Sequence, residues 1–141
     1  MENQTQYKFF IIEDDIFSAN IYEQCLVGMN HNDVTYYNNG TDCLKYLDQK
    51  PDIIFLDHNM ENTNEFEVLK KIKQYNTNIY VVMVSGQENI KTGIEALKHG
   101  AFDYIVKDHT VCDKMATVIN KIILVKAELK KSNPNFIQRA N

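Results

Sequence analysis

The chain is poor in cysteine and has no Cys-x-x-Cys pair. Its three cysteines, Cys25, Cys43 and Cys112, are odd in number and far apart, so nothing points to a zinc knuckle or a disulfide framework. The spacing predicts three reduced thiols in or near a core. Long apolar runs are missing too. The longest, Ile79 to Val84, is far shorter than a membrane span. The opening MENQTQYK lacks the basic start and apolar stretch of a secretion signal. Clustered positive charge is also absent. Lys130, Lys131 and Arg139 are too few for a basic arm, and the net charge of -4 argues against an electrostatic nucleic-acid face. No repeat and no low-complexity run occurs. These absences lead us to expect a cytoplasmic chain with no membrane and no direct nucleic-acid partner. What remains is ordinary for a soluble domain: 141 residues, 44% hydrophobic and 24% charged, enough for one domain with a real core.

Five short runs rich in β-branched and aromatic residues are present: FFII (9–12), VTYY (34–37), IIFL (53–56), IYVVMV (79–84) and DYIV (103–106). Most are continuous rather than alternating, the mark of strands buried on both faces of a parallel sheet. Helical spacing separates them. Phe17, Ile21, Cys25 and Met29 share one predicted face. Leu44 and Leu47 mark the next helix, then Phe66, Leu69 and Ile72, then Ile90, Ile94 and Leu97. Met115, Val118 or Ile119, Ile122 and Leu129 mark the last. Turn signals fall between: NNG at 38–40, Pro51, NTN at 76–78, and Gly100, where a left-handed helix cap is expected. Five strand–helix alternations predict a doubly wound α/β sheet.

In such sheets ligands bind beyond the carboxyl ends of the strands. That edge is chemically crowded here. Glu13 and Asp14 end the first predicted strand, Asp57 the third, Ser85 the fourth and Lys107 the fifth. Each close carboxylate pair costs roughly 4 kcal/mol before screening, at about 4 Å and an effective dielectric near 20. A divalent cation is the natural compensation. Mg2+ takes oxygen ligands and keeps several waters, so a few carboxylates and the Asn59 backbone carbonyl suffice. A carboxylate so placed can also attack phosphorus to form an aspartyl phosphate. Lys107 and Ser85 would then meet its oxygens.

The segments FFIIEDD, PDIIFLDHNM, VVMVSG and ALKHGAFDYIVK together resemble, in order and spacing, the receiver domain of two-component response regulators of the chemotaxis-regulator type. The resemblance covers roughly residues 8 to 128. It implies a flavodoxin-like, five-stranded parallel sheet of order 2-1-3-4-5 with helices on both faces. It implies that Asp57 accepts a phosphoryl group from a sensor histidine kinase or a phosphotransfer protein. By the same resemblance Glu13, Asp14, Asp57 and the Asn59 carbonyl hold Mg2+, Glu13 through water. Ser85 and Tyr104 act as switch residues, Lys107 pairs with the phosphate, and Asn59 and Gln87 tune phosphoryl lifetime. The chain would be a signalling switch catalysing only its own phosphorylation and dephosphorylation. The expected divisions are a tail at 1–7, a receiver domain at 8–129, and a helix end and linker at 130–141. No room is left for an output domain, so either a stand-alone receiver or a piece of a longer regulator is expected, acting on an unidentified partner.

Three positions depart from the pattern. Glu61 and Asp108 stand where the family often has proline, and Glu65 where it often has glycine. The two glutamates are expected to add negative charge near the metal. The family's Lys–Pro bond tends to be cis, and a cis bond at Lys107–Asp108 without proline would cost about 3–4 kcal/mol. These departures keep a second reading open, a pseudo-receiver that binds partners without phosphorylation. A phosphohydrolase of the haloacid-dehalogenase kind is disfavoured, because Asn59 occupies the position of its general acid. Taken singly, the acids, Ser85 and Lys107 read as strand-end or surface residues; only their convergence makes a site. His58 is not expected to act, because adjacent strand residues face opposite ways. His31, His99 and His109 read as surface residues, and Tyr104 as a half-exposed aromatic. Leu124 and Val125 widen the last helix's apolar stripe enough for a homodimer or partner surface.

Overall fold

The protein is described here by a computed structural model covering residues 6–60 and 64–132. Each of the five apolar runs is a strand: β1 (Phe9–Ile12), β2 (Val34–Tyr37), β3 (Ile53–Asp57), β4 (Tyr80–Ser85) and β5 (Asp103–Val106). All pairings are parallel, in the order β2-β1-β3-β4-β5. The strands that read as continuous apolar runs lie in the centre. Every residue of β1 and β3 is buried, while the edge strands β2 and β5 are mostly half-buried.

Alternate side chains feed two cores, one on each face of the sheet. Phe9, Ile11, Phe55, Val82 and Val84 pack against α1 (Ile16–Gly28) and α5 (Val111–Ser132). Phe10, Ile12, Ile54, Leu56, Val81 and Met83 pack against α2 (Gly40–Lys45), α3 (Glu65–Tyr75) and α4 (Ile90–Lys98). Four helices begin at an Asx residue whose side-chain oxygen accepts a backbone N–H of the first turn: Asp15, Asn39, Asn64 and Asn89. These caps satisfy donors that the helix itself cannot. Gly100 follows α4 with φ +104°, the left-handed conformation expected of it. Among the described residues no helix is long and apolar enough to cross a membrane.

Two expectations are corrected. First, the apolar faces of α1 and α4 do not all point inward. Phe17 is 77% and Ile21 51% exposed, and α1 instead buries Ser18, Ala19, Tyr22, Cys25 and Leu26. On α4, Ile90, Ile94 and Leu97 are exposed and only Ala96 is buried. A helix with two apolar stripes satisfies the same spacing rule twice, and packing chooses between them. Second, the cysteines are not three free thiols. Cys25 of α1 and Cys112 of α5 form a disulfide, with Cα atoms 5.2 Å apart, and only Cys43 is free and buried. A pair separated by 87 residues leaves no mark in local spacing; the fold brings α1 and α5 side by side.

No cis peptide bond occurs among the described residues, so Lys107–Asp108, which the sequence left open, is trans. Side-chain contacts shape the loop in place of a proline. The Asp108 carboxylate accepts the Thr110 N–H and hydroxyl at 2.8 and 2.6 Å, and Lys114 Nζ at 2.9 Å. Those bonds, the Thr110 hydroxyl first, hold the Asp108 carboxyl well below the usual range. At the far end, Lys130 to Ser132 are still helical. Glu61, Arg139 and the linker from 133 onward lie outside the described residues.

Candidate functional site

Parallel register lines up the carboxyl ends of β1, β3, β4 and β5. Asp57 closes β3 and Ser85 closes β4; Glu13 and Lys107 come one residue after β1 and β5. Carboxylate oxygens of Glu13, Asp14 and Asp57 lie within 4.8 Å of one another. Glu13 and Asp57 are buried, and Asp14 is exposed. Lys107 Nζ lies 3.5 Å from Glu13 Oε1 and donates to Ser18 Oγ at 3.0 Å.

The chain turns sharply after each strand to hold this arrangement. The Asp15 N–H donates to Glu13 Oε2 at 3.2 Å. Asp15 in turn accepts the Phe17 N–H and the Ser18 hydroxyl, at 3.1 and 3.0 Å, as the cap of α1. The Asn59 N–H donates to Asp57 Oδ2 at 3.2 Å, which sets Asn59 directly behind the carboxylate. On β4, Ser85 Oγ donates to the Gln87 carbonyl at 3.0 Å and accepts the Gln87 N–H at 3.2 Å. Tyr104 Oη donates to that same carbonyl at 2.9 Å. One backbone oxygen therefore serves both Ser85 and Tyr104. The Tyr104 ring rests on Gly93 of α4, where an added Cβ would lie 3.3 Å from it.

The electrostatics show excess negative charge. Burial, then the neighbouring Asp57 charge, pushes the Glu13 carboxyl up to about 7, although the Asp15 N–H and Lys107 pull the other way. Burial also raises Asp57, against the opposing pull of Lys107 and the Asn59 N–H. The Tyr22 phenol is buried beside Glu13 and is driven far above its usual range, by burial first and then by the Glu13 and Asp57 charges. Charges crowded and desolvated in this way favour a cation. Glu13 Oε1, a buried carboxylate oxygen without a hydrogen bond, fits that reading, so the residues present suit a divalent ion.

The structure thus brings together Glu13, Asp14, Asp57, Asn59 and Lys107, and joins Ser85, Gln87 and Tyr104 in a second cluster beside them. Spacing did not reveal Ser18 or Tyr22. Ser18 anchors Lys107, and a small polar residue on a helix's inward face was its only sign. Glu65 is buried, with Oε1 3.6 Å from His58 Nδ1. Burial, reinforced by the Asp57 and Asp14 charges, raises its carboxyl to about 7. It therefore carries only part of a charge near neutrality, not the full one expected. His58 stands outside the acid trio. Two further histidines are not plain surface residues: His31 packs on Phe9 and His99 on Phe66, both half-buried. His109 is exposed, as expected.

A doubly wound parallel sheet with acids, a hydroxyl and an amine at its carboxyl edge defines an α/β protein built around a small acidic pocket. The model of the response regulator receiver domain matches residues 9–119, and the chain belongs to that family, which acts in two-component signal transduction. It is 33% identical over 103 residues to the transcriptional regulatory protein ZraR of Klebsiella oxytoca, covering 72% of this chain and 23% of that protein. It is 25% identical over 126 residues to the regulatory protein LuxO of Vibrio cholerae, covering 89% and 27%. The chain spans about a quarter of the length of these curated relatives. Among solved structures, the response regulator domain of Thermotoga maritima CheB superposes with a TM-score of 0.70 at 26% identity, covering 85% of this chain and 96% of that one. The receiver domain of a putative LuxO repressor from Vibrio parahaemolyticus matches in fold, with a TM-score of 0.77 at 21% identity over 90% and 96% of the two chains.

Proposed function

We propose that Asp57 is the phosphoacceptor of a two-component switch, loaded by a sensor histidine kinase or a histidine phosphotransfer protein. Glu13, Asp14, Asp57 and the Asn59 backbone carbonyl would hold Mg2+. The observation that carries this reading is the convergence of three carboxylates within 4.8 Å, with Lys107 3.5 Å from Glu13. The ion, when bound, would neutralise the carboxylates and screen the phosphoryl oxygens.

The chain's own groups do the rest. An Asp57 oxygen attacks phosphorus as the bond to the donor imidazole breaks. Lys107, steadied by Ser18, pairs with the new phosphoryl oxygens. The Ser85 hydroxyl turns from the Gln87 carbonyl to the phosphoryl group, because a charge-assisted hydrogen bond is roughly twice as strong as a neutral one. The Gln87 carbonyl then keeps Tyr104 as its side-chain donor. The change at Asp57 thereby reaches the β4–α4 loop and the ring that rests on Gly93. Gln87 and Asn59 border the phosphoryl position and set its lifetime. The exposed Leu124, Val125 and Leu129 of α5 would seat a second copy or an output partner.

The test is incubation with a small acyl phosphate donor, with and without Mg2+, read by intact mass. Wild-type protein should gain one phosphoryl group only with the ion, and Asp57→Asn protein none. Equal labelling of Asp57→Asn would remove Asp57 from the role. A folded wild-type protein that neither takes up phosphoryl nor binds Mg2+ would establish a phosphorylation-independent binding module instead.

A further inference from the structure

The bond between Cys25 and Cys112 plays no part in the site just described. Its two ends are unequally placed. Cys25 is buried against Ala19, Tyr22 and Leu26 in the core under α1. Cys112 is exposed, on the first turn of α5. Both line an open groove of about 370 Å³, whose other walls are Phe17, Asn20, Ile21 and Gln24. Phe17 and Ile21 are the α1 side chains that the core leaves out. A disulfide at the floor of an apolar-walled groove is reachable by an attacking thiolate, and access is one of the conditions that govern exchange. In a reducing compartment disulfides are rare, and those present are usually catalytic or redox-sensing.

We propose that Cys25–Cys112 is a reversible thiol–disulfide exchange site, with Cys112 the sulfur attacked and an external thiol as co-reactant. The reductant's thiolate bonds to Sγ of Cys112, the S–S bond breaks, and its electron pair leaves on Sγ of Cys25, which takes a proton. A second thiol then displaces Cys112 from the mixed disulfide. The protein gains two electrons and two protons and becomes a dithiol, and two external thiols become one disulfide. The reverse steps restore the bond. The same two segments are already linked near the strand tips, where Lys107, a few residues before Cys112, donates to Ser18 of α1. The disulfide is therefore a second tie between α1 and the segment carrying Lys107, and reduction removes it while leaving the first.

The experiment uses the whole chain, purified without reductant. One arm equilibrates it in graded glutathione buffers, the other with thioredoxin and its recycling system. Alkylation and mass spectrometry then report each cysteine. Cys25 and Cys112 should become labelled together and reversibly, while buried Cys43 stays unlabelled until the chain is unfolded. Reduction in the glutathione arm identifies a small thiol as sufficient; reduction only in the other arm identifies a dithiol protein. Cys25→Ser protein should trap glutathione at Cys112. Amide exchange in the first turn of α5 should speed severalfold on reduction, and Cys25→Ser/Cys112→Ser protein should match the reduced wild type. A bond that survives both arms in folded protein, or thiols that fail to form the bond in oxidised glutathione, would overturn the proposal.

Discussion

At the scale of single residues, the site depends on groups that look unremarkable in the sequence. Ser18 shows this best. It accepts from Lys107 and donates to Asp15, so it couples the amine just beyond β5 to the cap of α1. Ser18→Ala would remove the hydrogen bond that steadies Lys107 and should cost roughly 1.5–3 kcal/mol of stability, the range of a hydrogen bond to a charged group. Urea unfolding would measure it, and an unchanged midpoint would show that water replaces the hydroxyl without loss. Asp57, Glu13, Asp14, Ser85 and Lys107 were legible because the sheet rule sends strand ends to one edge, so sequence position alone placed them. Ser18 and Tyr22 were not, nor was the burial of Glu65. Their roles come from burial and from neighbours distant in the chain, and local spacing carries neither.

At the scale of elements, close approach matters more than composition. Gly40 opens α2, and an added Cβ there would collide with one γ-carbon of Val68 on α3 and press on the other. Gly40→Ala should therefore destabilise the protein by about 1–3 kcal/mol, the usual cost of overpacking. In a Val68→Ala background the same change should cost much less, because the atoms it strikes are gone. A double-mutant cycle by thermal or chemical unfolding would read that coupling. Strands were the most legible elements, since a continuous apolar run allows one burial pattern only. Helix existence was legible as well, but helix facing was not. In α1, Phe17 and Ile21 compete with Tyr22 and Leu26 for the inward side, and only the sheet's shape decides. The Asx caps stood in the sequence as ordinary cap signals, unused because the apolar pattern drew the boundaries.

At the scale of the whole molecule, the acidic pocket makes folding depend on protons and on metal. Free Glu13 and Glu65 would ionise at ordinary glutamate values, whereas in the fold both sit near 7. Between those values the folded state binds more protons than the unfolded one, so stability falls as pH rises. The penalty is absent below about 4.5 and complete above about 7. The metal-free melting temperature should therefore fall from pH 5 to pH 8. Mg2+ should raise it, and more at pH 8 than at pH 5, because protons on the carboxylates weaken ion binding at low pH and the stabilisation grows with the ratio of ligand to Kd. Chelator should erase the gain. Calorimetry across that range checks this, and a Mg2+ effect equal at both pH values would contradict it. The length of α5 has a separate consequence. At 22 residues it runs about 33 Å, while the longest strand among the described residues has six, or about 20 Å. The helix starts four residues after Lys107 and by Lys126, 3.9 Å from Asp52 just before β3, has reached the amino ends of the strands, away from Asp57. A tilt of this rod by a few degrees at its upper end would displace its foot by ångströms, giving the domain a mechanical lever whose long arm lies away from the chemistry.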